Sequence, residues 1–339
     1  MILRKLEEKL NSFGRNFRIS IFGESHGPSV GVVIDGAAAG ISLCEDDFLS
    51  DLERRKSGKK GTTPRVENDL PQIISGTFNG KTTGAPLAIV FKNENIKSKD
   101  YSNLVKHPRP GHADFTGKIK YGAYNDYRGG GHFSARMTLA LVAAGVVAKK
   151  MISSVQIEAK IIEAGGSTDY EEALENAIKN GDSIGGVIEC TATGIPAGIG
   201  EPYFDSIESM ISHLIFSIPA VKAVEFGLGF RSAGMKGSEV NDNIIKENGE
   251  TSTNNSGGIN GGISNGNNII FRVAFKPTPS ISKEQMTFNY ENKAVETLKI
   301  NGRHDACVAL RAPVIVESAC AVVIADFMLL EQKIKRIQE

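Results

Sequence analysis

The sequence of 339 residues contains no tryptophan and no excess of charge of either sign. Lysine plus arginine and aspartate plus glutamate both total 39, so the formal net charge is zero. Proteins that bind nucleic acid or a membrane surface broadly usually carry an excess of positive charge. The balance argues against these two classes, although it leaves room for a local basic pocket. Any aromatic stacking must come from phenylalanine, tyrosine or histidine.

Cysteine is also scarce, and the four present are Cys44, Cys190, Cys307 and Cys320. They form no CxxC pair, and none lies near a histidine at the spacing of metal ligands, so we expect reduced structural thiols and no metal site. No apolar run reaches the length of a membrane span. The first ten residues, MILRKLEEKL, are typical of a short charged helix and lack the apolar core of a signal peptide. These absences predict a cytoplasmic protein.

Apolar patterns predict a mixture of strands and helices. Six apolar runs predict strands: 18–22, 31–34, 86–92, 185–193, 223–230 and 269–275. Two longer stretches, 134–151 and 316–337, predict helices, and capping boxes at 42–45 and 205–208 predict two more. The segment 251–268 resembles a flexible linker, but it returns directly to a strand, so we interpret it as a binding loop. We therefore expect one α+β domain over residues 1–339.

A run of positive charge follows the helix predicted after residue 45. This helix is expected to turn Phe48, Leu49 and Leu52 inward and to end near Gly58. The basic run comprises Arg54, Arg55, Lys56, Lys59, Lys60 and Arg65. Basic side chains often complement a helix C-terminus and stay solvated. The run itself leaves open whether it is such a solvated end or part of an anion site.

The segment 109–136, RPGHADFTGKIKYGAYNDYRGGGHFSAR, shows neither a helical nor a strand period. It holds His112 and His132 together with Gly111 and the glycines at 129–131. Glycines let backbone N–H groups approach a ligand closely, and an apolar helix is predicted to follow at once. A glycine loop before a helix N-terminus suits an anion. The alternative is a solvent loop that happens to be rich in glycine.

Five of the six histidines lie in or beside loop motifs, which makes them candidates for proton transfer. These five are His26, His107, His112, His132 and His304. Ser25 and His26 are adjacent, which suits a tight turn but not a nucleophile that faces its base. The sequence contains no HExxH, no Walker A motif and no GxGxxG after a strand. What remains are histidines, arginines for anions and glycine loops for a bulky phosphorylated cofactor.

Eight segments, in chain order, resemble chorismate synthase. They are GESHG (23–27), DGAAAGISL (35–43), RRKSGKKGTTPR (54–65), RPGHAD (109–114), DYRGGGHFSAR (126–136), GGINGGISNG (257–266), KPTPSI (276–281) and GRHDACV (302–308). The resemblance covers essentially the whole chain. It implies a single-domain sandwich of antiparallel sheets and buried helices, assembled as a homotetramer.

The resemblance also implies an activity. The family is a carbon–oxygen lyase that converts 5-enolpyruvylshikimate 3-phosphate to chorismate by a 1,4-anti elimination of phosphate and the C6 hydrogen. This last step of the shikimate pathway requires reduced FMN, although it involves no net redox change. The chain has no segment long enough for an appended flavin reductase, so we expect an external reductant. Two other classes compete with this one: a non-enzymatic flavin carrier, and an RNA-binding protein that uses the 54–65 run, against which the zero net charge counts.

Matching the motifs residue by residue implies catalytic and substrate-binding roles. His26 becomes an acid for the leaving phosphate, His112 manages the protonation of the flavin, and Asp305 belongs to the proton-removal relay near flavin N5. Substrate binding is implied for Arg55, Lys60, Arg65, Arg109 and Arg303, the last of which also bridges to the flavin.

The same matching implies a set of FMN contacts. They are His132, Phe133, Ser134, Pro219, Ala220, Gly261, Lys276, Pro277, Thr278, Pro279, Ser280 and Arg303. Three positions depart from the family pattern. Arginine is common where Lys60 and His132 stand, and asparagine is common where Pro219 stands. Lysine keeps the charge but loses the planar fork of arginine, so the departures at Lys60 and His132 weaken the expected basic pocket modestly.

Overall fold

The computed structural model describes residues 11–64, 67–94, 104–300 and 304–335. The helix expected at the N-terminus, Arg65 and Arg303 lie outside these described residues. Within them the strands are β1 (Ser12–Phe13), β2 (Arg18–Gly23), β3 (Ser29–Asp35), β4 (Pro71–Ser75), β5 (Thr77–Phe78), β6 (Lys81–Thr82), β7 (Leu87–Lys92), β8 (Gln156–Ala164), β9 (Gly186–Thr193), β10 (Val221–Phe226), β11 (Ile259–Asn260), β12 (Ile263–Ser264), β13 (Ile269–Phe275), β14 (Gln285–Asn289) and β15 (Ala294–Leu298). The α-helices are α1 (Leu49–Arg55), α2 (Asp114–Lys120), α3 (Thr138–Met151), α4 (Glu171–Lys179), α5 (Ile207–Ile215), α6 (Gly237–Val240) and α7 (Pro313–Leu330).

Two antiparallel sheets form the outer layers. The first has five strands in the order β1-β2-β3-β7-β4, and the second has four in the order β10-β13-β9-β8. Strand β13, at the centre of the second sheet, alternates strictly between buried and half-buried side chains. Such a period of two places one face of the strand on the core. Three further strand pairs, β5-β6, β11-β12 and β14-β15, form short hairpins.

Helices α3 and α7 form the layer between the sheets. Helix α3 packs on β3 of the first sheet, α7 packs on β8 of the second, and the two helices pack on each other. Gly145 permits their close crossing, because a Cβ there would lie only 2.3 Å from Cβ of Ser318. Both helices are buried nearly all round rather than on one face. The α+β sandwich of antiparallel sheets and buried helices is thus confirmed.

Helix α7 also has the length and hydropathy of a membrane span, but 83% of it is buried inside the protein. A core helix passes the same compositional test, and its neighbours here are α3, α5 and β8. It ends at Leu330, earlier than the sequence predicted. Leu49 was also predicted wrongly, because its side chain is 41% exposed, whereas Phe48 and Leu52 are buried.

Candidate active site

A cavity of about 750 Å³ opens where the ends of several elements meet. Its wall comes from β1 and β2, the end of α1, the loops 109–113 and 129–138, the end of α5 with residues 217–222, the loop 276–280, and residues 304–311. Ligand pockets in proteins typically measure roughly 300–1,000 Å³. The cavity is therefore large enough for a bulky ligand, and its walls belong to segments that are distant in sequence.

Most residues that the sequence analysis selected line this cavity. They are Arg55, Arg109, His112, His132, Phe133, Ser134, Pro219, Ala220, Lys276, Thr278, Pro279, Ser280 and Asp305. Hydrogen bonds join their segments. The backbone N–H of Lys276 donates to the Ala220 carbonyl over 2.9 Å, and the Lys276 ammonium donates to the Gly111 carbonyl over 2.5 Å.

His26 lies directly behind the cavity wall. It is 4% exposed and packs against Gly129, which does line the cavity. A Cβ at Gly129 would lie 2.5 Å from Cδ2 of His26, and the backbone there has φ +59°, so glycine is required on both counts. The loop is also tied to the GESHG turn, because His132 Nδ1 donates to the Gly23 carbonyl over 2.9 Å. Sequence-distant motifs thus meet around His26.

Three selected residues lie elsewhere. Lys60 has a side chain that is 54% exposed, and its ammonium pairs with Glu171 at 3.3 Å and Glu175 at 2.6 Å, away from the cavity wall. Gly261 lies in the β11-β12 turn, and Pro277 lies between lining residues without lining the cavity itself. Lys60 therefore does not join the arginines with which the sequence grouped it.

A buried aspartate bridges two arginines at the floor of the cavity. Asp69 accepts from Nη2 of Arg55 over 2.8 Å and from Nη1 of Arg136 over 2.6 Å. Burial would raise the pKa of Asp69, but the two guanidiniums outweigh it and hold that pKa below its usual value. Burial, followed by the nearby arginines, lowers the pKa of Arg55 to about 10, so Arg55 is still charged at neutral pH. This cluster of Arg55, Asp69 and Arg136 thus carries two positive charges and one negative charge.

A second cluster joins Arg109, His112 and Asp114. Both oxygens of Asp114 bind the Arg109 fork, with Nε–Oδ2 at 2.8 Å and Nη2–Oδ1 at 2.7 Å. Nδ1 of His112 lies 2.7 Å from Oδ1 of Asp114, within hydrogen-bond distance. The third Arg109 nitrogen, Nη1, donates to Oγ of Ser280 over 3.0 Å. Burial, partly offset by Asp114, lowers the pKa of His112, so its imidazole is mainly neutral at pH 7.

Asp305 is held in the cavity wall by three donors. Its Oδ1 accepts from the Thr63 N–H at 2.9 Å and from Arg311 Nε at 3.1 Å, and its Oδ2 accepts from Arg311 Nη2 at 2.8 Å. Burial opposes ionisation, yet Arg311 outweighs it and keeps the pKa of Asp305 below its usual value. The group predicted to accept a proton is thus an ionised carboxylate. Arg311 adds another cation to the lining.

Several buried polar atoms in the lining have no hydrogen-bond partner among the described residues. They are Oγ of Ser25, Nε of Arg55, Oγ1 of Thr278 and Nε2 of His304. Burial, followed by the charge of Arg109, lowers the pKa of His304 to about 4. Its imidazole is therefore neutral at physiological pH. Leaving buried polar atoms unpaired costs free energy, so these atoms mark a surface that a polar ligand completes.

Sequence reasoning missed five residues that build the site. They are Asp69, Asp114, Arg136, His304 as a lining residue, and Arg311. Asp114 and Arg136 lie inside RPGHAD and DYRGGGHFSAR, so attention to every charged position of those motifs would have found them. Asp69 and Arg311 carry no local signal, because their roles arise only when the chain folds.

The fold and the cavity together define an α+β protein with a buried, arginine-rich pocket for a large polar anion. The sequence profile of the family described as chorismate synthase matches residues 17–329. The chorismate synthase of Chitinophaga pinensis is 57% identical over 329 residues, which cover 97% of this chain and 99% of the relative. That of Dehalococcoides mccartyi is 45% identical over 359 aligned residues, with coverage of 96% and 99%.

A solved structure described as a crystal structure of chorismate synthase matches with a TM-score of 0.72 at 28% identity, covering 94% of this chain and 93% of that chain. This chain belongs to the chorismate synthase family. It is an enzyme of the lyase class, and both the family and the enzyme class predicted from the sequence are confirmed. Enzymes of this family use reduced FMN.

Proposed function

We propose that this chain converts 5-enolpyruvylshikimate 3-phosphate to chorismate by 1,4-anti elimination of phosphate, with reduced FMN bound in the 750 Å³ cavity. The observation that carries the proposal is the cavity lining, in which Arg55, Arg109, Arg136 and Arg311 surround unpaired buried polar atoms. A substrate with two carboxylates and a phosphate needs such a concentration of fixed positive charge. A site of low dielectric strengthens each of those contacts.

The arginines also favour the departure of phosphate. Arg55 and Arg136 share Asp69, which holds both guanidiniums in place without neutralising them. Cations that are fixed before the reaction need no reorganisation when negative charge grows on the leaving group. We infer that Arg55, Arg109 and Arg136 bind the substrate anions.

His26 is the proposed acid for the leaving phosphate. It is buried behind Gly129, at the side of the cavity formed by Ser25 and Gly129. A positioned histidine typically contributes about 10²–10⁴-fold to a proton transfer. The motif GESHG supplies this role by resemblance, and the contact with the cavity wall is compatible with it.

The residues present fit FMN. Oγ1 of Thr278 and Nε2 of the neutral His304 lack partners among the described residues and offer hydrogen bonds, and Lys276 and Arg109 offer positive charge. We propose that FMN is held by His132, Phe133, Ser134, Pro219, Ala220, Lys276, Thr278, Pro279 and Ser280. When bound, reduced flavin supplies transient electron density that weakens the C–O bond. Gly261 and Pro277 lie off the cavity wall, so we assign them no direct contact within one subunit.

His112 and Asp305 are the proposed proton-handling groups beside the cofactor. His112 is oriented by Asp114, and Asp305 is oriented by Arg311. An ionised carboxylate can accept a proton, whereas a protonated one cannot. Asp305 therefore starts in the form that the role of proton acceptor requires.

The assembly, the cellular compartment and the source of reduced flavin complete the proposal. We propose a cytoplasmic homotetramer that receives reduced flavin from an external reductant. Size-exclusion chromatography with light scattering measures the subunit number directly. Oxidised FMN with NADPH alone is expected to give no turnover, and addition of a separate flavin reductase is expected to restore it.

An anaerobic assay with chemically reduced FMN and the enolpyruvyl phosphate tests the function. Chorismate and inorganic phosphate are expected to appear in equal amounts. Oxidised FMN serves as the matched control and is expected to give neither product. Binding of FMN without product release under reducing conditions would instead support a non-enzymatic flavin carrier.

A further inference from the structure

We propose that Asp114 is a positioning residue, which fixes the tautomer and orientation of His112 and the plane of Arg109. The inference rests on the proposed function, because it concerns two residues assigned to that site. Asp114 itself is absent from the wall of the cavity, so it acts through its neighbours.

Asp114 holds Arg109 by three hydrogen bonds. Asp114 accepts from Nε and Nη2 of the guanidinium and also from the backbone N–H of Arg109 at 2.9 Å. Three bonds to one carboxylate fix both the plane and the backbone of the arginine. The remaining nitrogen, Nη1, then points to Ser280 in the proposed FMN segment. Asp114 thus holds the Arg109 guanidinium between the segments RPGHAD and KPTPSI.

Asp114 also determines the tautomer of His112. The pKa of Asp114 lies well below its usual value, because Arg109 and His112 outweigh the opposing effect of burial, so the carboxylate is ionised and can only accept. The 2.7 Å contact therefore requires a proton on Nδ1 of His112. Arg109 Nη2 also lies 3.0 Å from Nδ1, and two donors that share Oδ1 account for that distance. In the neutral imidazole, Nε2 is left as the acceptor.

The opposite edge of the His112 ring lies against the glycine loop at Gly130. A Cβ at Gly130 would stand 3.3 Å from both Cε1 and Nε2 of His112, and Gly130 has φ +83°. The glycine loop thus lets the ring lie close to the backbone, while Asp114 fixes it from the other side. His112 is held between two elements and lines the cavity. A histidine that manages a proton on a cofactor needs such a defined edge.

The electrostatic balance agrees with this geometry. Burial, Arg109 and Lys276 all lower the pKa of His112, and Asp114 is the neighbour that raises it. His304 also lies close enough to interact with His112. Removing the Asp114 charge would leave burial, Arg109 and Lys276, all of which disfavour the imidazolium. The expected consequence is a His112 that is harder to protonate and no longer confined to one tautomer.

Solid-state ¹⁵N NMR of ring-labelled histidine in the ligand-free chain tests the proposal without any turnover. The chain has only six histidines, and His112→Gln identifies the His112 signals by their loss. The native chain is expected to show the Nδ1–H tautomer at His112. Asp114→Asn is expected to add the Nε2–H tautomer and to lower the pKa of His112 by about one pH unit.

The chain supplies a matched control at Asp126. Its carboxylate binds the Arg128 fork at 2.8 Å and 2.8 Å and the Arg128 backbone N–H at 3.0 Å, a geometry that repeats the grip of Asp114 on Arg109. Asp126→Asn is expected to leave the His112 signals unchanged. Equal shifts in both variants would overturn the proposal, since they would reflect general disturbance.

Two results keep the test decisive if Asp114→Asn does not fold. An Nε2–H tautomer at His112 in the native chain would overturn the proposal directly, and an Nδ1–H tautomer would support it. These outcomes are separate from the proposed function. A chain that fails to make chorismate would still report its His112 tautomer. Conversely, full activity with an unaltered His112 in Asp114→Asn would remove only the role of Asp114.

Discussion

Two regions of this molecule bury charge, and they complete its hydrogen bonding to different extents. In helix α7, Glu317 and Asp326 are only 2% and 7% exposed. Both oxygens of Glu317 are occupied, by the side chains of Arg54 and Lys149 and the backbone N–H of Ala159. Asp326 accepts from three consecutive backbone N–H groups at residues 15–17. These carboxylates tie the core helix to its neighbours and leave nothing open for a ligand.

The cavity differs because several of its buried polar atoms have no hydrogen-bond partner among the described residues. Seven buried side-chain atoms lack a partner among the described residues, and four of them, on Ser25, Arg55, Thr278 and His304, line the cavity. The other three belong to Glu208, Asn254 and Gln285. Buried polar groups with complete hydrogen bonding stabilise a fold, whereas a buried polar atom without a partner costs free energy until a ligand supplies one. We propose that this contrast distinguishes residues that hold the structure from residues that bind the ligand.

Asp305 is an exception to this contrast, because it lines the cavity and yet its carboxylate accepts three hydrogen bonds. The proposed role predicts that Asp305→Asn keeps FMN and substrate binding and lowers kcat by about 10²–10⁴-fold, because an amide cannot accept the proton. Single-turnover kinetics with reduced FMN measure the change. A deuterium label at substrate C6 should give a larger isotope effect in the variant. Near-normal kcat would place Asp305 among the structural carboxylates.

Glu317 tests the other half of the comparison. Glu317→Ala would leave the Ala159 N–H without its acceptor and would leave Asp51 as the remaining partner of Arg54 and Lys149. Loss of these charge-assisted hydrogen bonds is expected to cost about 3 kcal/mol. We expect a loss of this size in the free energy of unfolding, measured with urea, and an unchanged Kd for FMN. A loss below about 1 kcal/mol would show that the network is not what holds α7 in place.

The sequence predicted the parts of this molecule that depend on local pattern. The strand at 269–275 was predicted with its observed bounds, because a period of two and a preceding Gly/Asn loop leave little ambiguity. The buried helix after Ser134 was also predicted, and Ser134 does cap its first turn by accepting from the Arg136 N–H. Apolar runs and helix caps depend on residues that are close in sequence, so the elements that they predict are found in the folded chain.

Site residues that depend on distant partners were harder to predict. Asp69 joins Arg55 and Arg136 across separations of 14 and 67 residues, and no window of sequence contains all three. Lys60 carries the same charge as Arg55 five positions earlier, yet it turns outward to α4. Charge type is visible in the sequence, but the direction in which a loop side chain points is set by tertiary contacts.

His304, whose Nε2 has no partner among the described residues, should make the stability of the chain depend on pH. Its pKa is lowered from 6.5 to about 4 in the folded chain, mainly by burial, so the unfolded chain binds a proton between these values and the folded chain does not. Stability should therefore fall as the pH drops from about 6.5 to 4, by about 3 kcal/mol from this group. His304→Phe should remove that part of the pH dependence, measured by urea unfolding at pH 7 and pH 4. Parallel curves for both proteins would contradict it.

Adjacent arginines provide the sharpest single comparison. Arg55→Ala should raise KM for the enolpyruvyl phosphate about ten- to a hundred-fold, the worth of a charge-assisted hydrogen bond of about 1.5–3 kcal/mol. Arg54, one position earlier, binds Glu317 rather than the cavity, so Arg54→Ala should lower stability and leave KM unchanged. Initial-rate kinetics under anaerobic conditions separate the two. A KM effect in Arg54→Ala as large as that in Arg55→Ala would erase the distinction between the two regions.

The smallest effect is expected at Lys60, where the sequence and the structure give different answers. Its ammonium lies on the surface between Glu171 and Glu175, and an exposed ion pair of this kind contributes little. Because these glutamates rather than a ligand take up its charge, Lys60→Ala should keep KM within about twofold of the native value. The assay is the one used for Arg55→Ala, which serves as its positive control. Lys60→Arg should behave alike, since a planar fork has no anion to bind there. A tenfold rise in KM for Lys60→Ala, with Glu171→Ala unaffected, would mean that the loop turns inward when substrate binds.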